Sequence, residues 1–191
     1  MAVKKTVDKF KKKKWFTLVA PKVFEGKTLG ETPAEKSNLV IDRTINVSAD
    51  ELSGQRKLRH ITAKFKVIEI KELNALTELI GFEINNSYLR RMVRRRISKI
   101  ETIVTATTKN GKKARVKAVA ISSKRLEKAK EKAIRKIIRE TILSEIPKKN
   151  FDVLAHEMIF GLTSTEILQK TKGIDKLRRL EITKARVLEG K

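Results

Sequence analysis

Asn110-Gly111 sits between two runs of β-branched residues, in KIETIVTATTKNGKKARVKAVAIS over residues 99–122, and no other stretch constrains the fold as much. Both central residues of a type I′ turn need positive φ, which Asn and Gly adopt at little cost, so the pair predicts an antiparallel hairpin. If Lys109 opposes Lys112, then Thr105 opposes Val116 and Ile103 opposes Ala118 on one face, with Ala106 against Arg115 and Val104 against Lys117 on the other. That second face and the tip carry Lys109, Lys112, Lys113, Arg115 and Lys117, cations with no evident packing task.

A hairpin needs a sheet around it, and the chain supplies further strand patterns. Leu39, Ile41, Ile45 and Val47 alternate. Ile61, Ala63, Phe65 and Val67 face one way, with Thr62, Lys64 and Lys66 facing the other, until Ile68 and Ile70 shift the phase and suggest a bulge or burial on both faces. LIGFEI (79–84) is expected to pair back on that strand, and RRLEITKARVL (178–188) to close the chain as another. Trp15 to Val23, interrupted by Pro21, reads as an edge strand or a strand entry, and the Gly/Pro/Ser-containing residues 25–38 as a loop.

Helices are expected in between. Ser48 to Glu51 spells a capping box for a short turn. Over residues 88–100, YLRRMVRRRISKI, a helical wheel puts Leu89, Met92, Val93, Ile97 and Ile100 on one side, and Arg90, Arg91, Arg94, Arg95 and Lys99 on the other. A long helix is expected from a Ser123 cap to about Ile146, then a short one ending at Gly161. Thr163 to Glu166 spells a second capping box before a last helix ending at Gly173. There is no internal repeat and no linker, so the expectation is α+β: one domain over residues 15–191, with an antiparallel, barrel-like β core, flanking helices and a basic tail at 1–14.

Charge then narrows the function. The 191 residues hold 46 Lys+Arg against 22 Asp+Glu, a net charge of +24, and such self-repulsion calls for a polyanionic partner. Nucleic acid fits, whereas no apolar run nears the roughly 18 residues needed to span a membrane, and a soluble intracellular protein without a membrane partner is expected. With no cysteine, disulfides, thiolate zinc sites and cysteine nucleophiles are all excluded.

Catalytic material is scarce. GKT at 26–28 lacks the preceding glycine of a phosphate loop, where Pro21 stands. His156-Glu157 begins like a zinc-protease helix, but Phe160 occupies the second histidine's place, and His60 is remote in sequence. Asp42, Asp50 and Glu51 read as turn and cap residues. Neither a cofactor, a metal nor a small-molecule substrate is implied, and the chain does not read as an enzyme.

Cationic segments remain as the candidate sites. The first 14 residues hold seven lysines against Asp8, and Lys9, Lys11, Lys12, Lys13 and Lys14 lead directly into Trp15. Trp15 and Phe16 read as a plug that fixes where the tail leaves the body, rather than as a base-stacking platform. Residues 88–100 contain no acid, and arginine's planar fork suits phosphate. The long helix has Glu127, Glu131 and Glu140 among its lysines, which favours a solvated face. A free-standing RNA or DNA binder, an RNA chaperone and a nuclease with unrecognised acids all stay open on these residues alone.

The arrangement K-W-aromatic-x-x-x-A-P-x-x-F at residues 14–24 resembles the N-terminal signature of the archaeal and eukaryotic ribosomal family S-three-A-e, or eukaryotic-type small-subunit protein one. The similarity runs on through DELSGQ, the arginine segment, TTKNGKKAR and the Ser-Ser-Lys-Arg at 122–125. The chain ends soon after its last strand, as in archaeal members. The resemblance implies a non-catalytic protein of the small (30S) ribosomal subunit, cytoplasmic with the ribosome. It would sit on the platform near the messenger RNA exit, touching the 3′ region of the small-subunit rRNA and neighbouring ribosomal proteins, with messenger RNA nearby.

Overall fold

The computed structural model describes residues 12–188. Its eight strands are β1 (Lys14–Val19), β2 (Thr28–Ala34), β3 (Thr44–Ser48), β4 (Ile61–Lys71), β5 (Asn74–Ile84), β6 (Lys99–Thr107), β7 (Lys113–Ser122) and β8 (Leu177–Leu188). The five α-helices are α1 (Ala49–Ser53), α2 (Asn86–Met92), α3 (Lys128–Glu145), α4 (Phe151–Ile159) and α5 (Leu162–Thr171). All strands join one sheet in the order β2-β1-β5-β8-β7-β6, with β4 on the second edge of β5 and β3 beyond it. Every pairing is antiparallel except β1 with β5.

The fold is α+β, but the barrel-like core expected from the sequence is not formed. Strands β2, β3 and β6 end the sheet, and no pairing joins them among the described residues. Instead, apolar residues alternate onto one face, which α3, α4 and α5 cover. Ile61, Ala63, Phe65 and Val67 of β4 lie there as expected, with Ile100 and Val104 of β6 and Leu180 and Ile182 of β8. Ile134, Ile138, Ile142, Leu154 and Ile167 meet them from the helices. Phe24 packs edge-on to Phe65 with ring centroids 5.7 Å apart.

Several sequence expectations are corrected. Thr28–Ala34 is a strand rather than part of a loop, and Pro33 is tolerated because β2 is an edge. Strand β1 is not the edge: it pairs with β2 on one side and β5 on the other. Leu39 closes a 3₁₀ turn and Asp42 has a φ of 66°, so the third strand begins only at Thr44. Ser123 donates to the Lys176 carbonyl at 3.3 Å, and α3 starts five residues later with Glu127 at its N-cap. Thr163 is buried within α5, which follows Gly161.

The arginine segment departs furthest from its wheel. Helix α2 stops at Met92, Val93 is extended and 38% exposed, and Arg94 to Arg96 form a turn in which Arg96 has a φ of 65°. A run of like charges with no acid four residues away gives a helix no support. Tertiary bonds also pull the chain out: Ser98 N–H donates to Ser122 Oγ at 2.8 Å, and Ser98 Oγ accepts from Leu126 N–H at 3.1 Å.

The hairpin forms, one residue out of the expected register. Gly111 N–H donates to the Thr108 carbonyl and Thr108 N–H to the Lys112 carbonyl, both at 2.9 Å, with Gly111 at a φ of 74°. This is a three-residue loop with a glycine bulge, not a two-residue turn. Thr107 therefore faces Lys113, Ala106 faces Ala114 and Val104 faces Val116, all one step from the expected pairs. Because side chains alternate, that step exchanges faces. Val104, Val116 and Ala118 are buried together, while Thr105 pairs with Arg115 and Ile103, 60% exposed, pairs with Lys117 on the outside.

Two close packings make distinct stability predictions. A Cβ built on Gly81 would lie 2.6 Å from the Ala185 carbonyl oxygen of β8, so Gly81→Ala must push β5 and β8 away from each other. It should cost about 2 kcal/mol or more in urea unfolding, against about 1 kcal/mol for Gly111→Ala, whose site is open but has positive φ. At the hairpin loop, Lys112 Nζ pairs with Glu78, and its charge also offsets Asp152. Lys112 thus has a structural task after all, and Lys112→Gln should cost about 1 kcal/mol where Lys113→Gln and Arg115→Gln cost under about 0.5.

Asp152 gives a pH signature. Burial, then the Glu78 charge, pushes its carboxyl above the ordinary carboxylate range, and its Oδ1 is buried without a hydrogen bond. A raised folded pKa means that its contribution to stability is present at low pH and lost as pH rises through the folded value. Asp152→Asn should therefore melt higher than wild type at pH 7, with the advantage vanishing below about pH 4, where the wild-type group is protonated in both states.

Candidate nucleic-acid interface

The face of the sheet opposite α3, α4 and α5 carries the charged residues of the strands. Register lines them into cross-strand rows. Arg115 pairs with Arg186, Arg186 with Gly81 and Gly81 with Lys64. In the next row Lys117 pairs with Lys184 and Lys184 with Glu83. Nearer α2, Lys99 pairs with Ile121 and Ile121 with Arg179.

Bulges interrupt the pairing on this face. Ile80 is unpaired between Gly81 and Leu79 opposite β4, and Thr183 is unpaired between Ile182 and Lys184 opposite β7. Each extra residue bends its strand. A cleft of about 710 Å3 results, with Thr44, Asn46, Thr62, Lys64, Gly81, Lys184 and Arg186 in its wall. It adjoins a second, of about 580 Å3, that reaches the hairpin loop at Gly111, Lys112 and Lys113.

Acids neutralise only some of these cations. Glu101 accepts from Lys99 and from Lys117, the latter at 2.9 Å, and the two ammonium groups hold its carboxyl below the ordinary range. Glu83 accepts from Lys184 at 2.7 Å, and Asp42 lies 3.1 Å from Lys66. Lys64, Lys113, Arg115 and Arg186 form no ion pair among the described residues. Hydroxyls and an amide beside unpaired cations suit a ligand that offers phosphates and 2′-hydroxyls together.

The expected site residues fall into three groups. Lys113, Arg115 and Lys117 are on the outer face, and Lys109 and Lys112 in the adjoining loop, but Lys112 and Lys117 are ion-paired. Arg90 and Arg91 are exposed on α2, and Arg94 and Arg95 are exposed in the turn that follows, near the other end of the sheet. Lys12, Lys13 and Lys14 are exposed where β1 begins, while Lys9 and Lys11 lie outside the described residues. Phe16 is the buried plug, and Trp15, on the other face of β1, is 53% exposed. Both histidines pack on rings: His60 stacks on Tyr88, and His156 meets Phe24 and Phe160.

Sequence reasoning missed Lys64, Lys184, Arg186, Arg178 and Arg179 as surface cations of one site. Alternation in β4 had already turned Lys64 and Lys66 outward, and the same reading of β8 gives Arg179, Lys184 and Arg186 once the bulge at Thr183 is allowed for.

Among the described residues no cluster of metal-ligating side chains gathers, and no helix is long and apolar enough to cross a membrane. Comparison with known proteins identifies the relatives. A protein of Sulfurisphaera tokodaii named small ribosomal subunit protein eS1 is 37% identical over 182 residues, covering 95% of this chain and 94% of its own. Proteins of the same name from Saccharolobus islandicus and Staphylothermus marinus are 36% and 34% identical, each over 95% of this chain and over 88% and 85% of their own lengths. Residues 1–191 match the Ribosomal S3Ae family, and the chain belongs to that family.

Proposed function

We propose that the protein is a structural constituent of the small ribosomal subunit and binds small-subunit rRNA with the outer face of its sheet. The observation that carries this is the row Lys64–Gly81–Arg186–Arg115, which lines up three unpaired cations, Lys64, Arg186 and Arg115, on the face that no helix of the α3–α5 layer covers. Its family is a ribosomal protein family, and the protein is not an enzyme. Lys109, Lys112, Lys113, Arg115 and Lys117 extend the contact to the hairpin, and Arg90, Arg91, Arg94 and Arg95 extend it beyond α2. Lys9 and Lys11 to Lys13, ahead of β1, and Lys14 at its first position bring the basic N-terminal residues 1–14 onto the same RNA, with residues 15–191 as one RNA-binding domain. The seat is the platform near the messenger RNA exit, against the 3′ region of the rRNA and neighbouring proteins, in the cytoplasm with the ribosome.

Two measurements test this. Affinity for small-subunit rRNA should fall by ~10³ between 50 and 200 mM salt if about six phosphates are contacted, and a slope of one or two ions contradicts it. Lys64→Gln, Arg115→Gln and Arg186→Gln together should reduce that slope by about three and impair incorporation into 30S particles, with thermal stability little changed. Wild-type protein that stays in the soluble extract, rather than sedimenting with small subunits after a high-salt wash, would support a free-standing RNA binder or chaperone instead.

A further inference from the structure

Arg178 and Arg179 are consecutive in β8, and strict alternation would send them to opposite faces. They stay together because Arg178 is the unpaired residue of a bulge: Ile121 pairs with Arg179, and Ser122 with Leu177. Both line a cleft of about 480 Å3 with Tyr88, Arg91 and Met92 of α2 and Ile121 of β7, and no carboxylate is in its wall.

One of the three guanidinium groups is fixed in advance. Arg179 Nη1 donates to the Tyr88 hydroxyl at 2.7 Å, its Cζ lies 5.8 Å from the Tyr88 ring centroid, and its Nε is 3.8 Å from Glu181 Oε1. Tyr88 is backed in turn by His60, with ring centroids 3.8 Å apart and planes 22° from parallel. Burial and then the Arg179 charge push the His60 pKa down, once a backbone hydrogen bond is set against them, and burial pushes the Tyr88 pKa up. Through Tyr88 the stack forms one wall of the cleft. Arg91 and Arg178 are exposed and form no ion pair among the described residues.

Two features select the ligand. Unpaired arginines without a facing carboxylate ask for phosphate. A lone phosphate would leave most of the cleft empty, and beside the arginines its wall is the thioether side chain of Met92 and the ring of Tyr88, while Ile121 is only 2% exposed. A nucleotide supplies both features, and bases pack against guanidinium planes when a strand is splayed open. The cleft also adjoins the row Lys99–Ile121–Arg179 of the outer face, so a chain lying on that face can reach it.

We propose that this cleft receives one unstacked nucleotide of an RNA chain, with Arg91 and Arg178 on its phosphate and Arg179 and Met92 against its base. The proposal rests on the RNA-binding reading above and adds where an unpaired nucleotide docks.

The test measures binding of the full chain, at fixed salt, to an RNA hairpin with one bulged nucleotide and to the same hairpin without it. Wild type should prefer the bulged RNA by about tenfold, the scale of one base's packing. Tyr88→Phe removes the hydroxyl that holds Arg179 but no charge, so it should cut the preference several-fold and leave the salt slope unchanged. Arg178→Gln should abolish the preference and lower the slope by about one. Melting curves check both folds, and if Tyr88→Phe unfolds, Arg178→Gln decides alone. Equal binding of the two RNAs by wild type, or an unchanged preference in folded variants, overturns the cleft and leaves the ribosomal reading standing. Failure of wild type to bind either RNA or small-subunit rRNA overturns both. Adenosine monophosphate binding as tightly as the bulged RNA, or polyglutamate displacing that RNA more effectively than unlabelled RNA does, assigns the cleft to a free nucleotide or an acidic protein and also overturns the proposal.

Discussion

Strand β5 shares one edge between β1, running parallel at Asn74 to Leu76, and β8, running antiparallel at Gly81 to Glu83, while β4 takes the other edge along its length. This junction is what turns two groups of strands into one sheet. Without it, β1 to β5 would have no strand pairing to β6, β7 and β8. The pairing closes a long loop, since the Lys184–Glu83 bond spans 101 residues, and its entropic cost must be met by packing on the buried face. Gly81 permits the approach: with any side chain there, the Ala185 carbonyl could not come so near.

From the junction follows the division of labour between the faces. One face is predominantly apolar and capped by α3, α4 and α5, so it fixes the register of every strand on it. Register in turn decides where the charges go. Arg115, Arg186 and Lys64 form a row only because Val116, Ala185, Phe65 and Ala63 are committed to the core on either side of them. The bulges at Ile80, Thr183 and Arg178 then curve the row and gather two adjacent arginines into one cleft. Folding and recognition are thus written on the same strands with a period of two.

Much of this was legible in the sequence, and the failures have physical causes. The alternation in β4, the bulge at Ile68, the pairing of LIGFEI and the closing strand were readable because one face is buried and the pattern is strong. Asn110-Gly111 located the hairpin but not its loop length, and the one-residue slip transferred Val104 to the core beside Val116, and Thr105 and Ile103 to solvent. Strand β2 was hidden because an edge strand needs neither alternation nor freedom from proline. The arginine wheel failed because bonds from Ser98 to Ser122 and Leu126, 24 and 28 residues away, outweigh local periodicity. The shared cleft of Arg91, Arg178 and Arg179 depends on a bulge and on contacts across the fold that no local pattern encodes.

Paired and unpaired cations are not distributed at random over this surface. Where strands or loops must be tied together, a carboxylate is supplied: Glu78 for Lys112, Glu101 for Lys99 and Lys117, Glu83 for Lys184. Where no tie is needed, as at Lys64, Lys113, Arg115, Arg186 and the turn after α2, none is. Exposed pairs of the first kind contribute little each and weaken with salt, so they do not account for retaining a charge of +24 in one small chain. Repulsion among the unpaired cations lowers the stability of the free protein, and a polyanion that binds only the folded state offsets it by mass action. The same residues that make the isolated chain less stable therefore favour its association with a polyanion, which would couple the folding of this protein to the presence of such a partner.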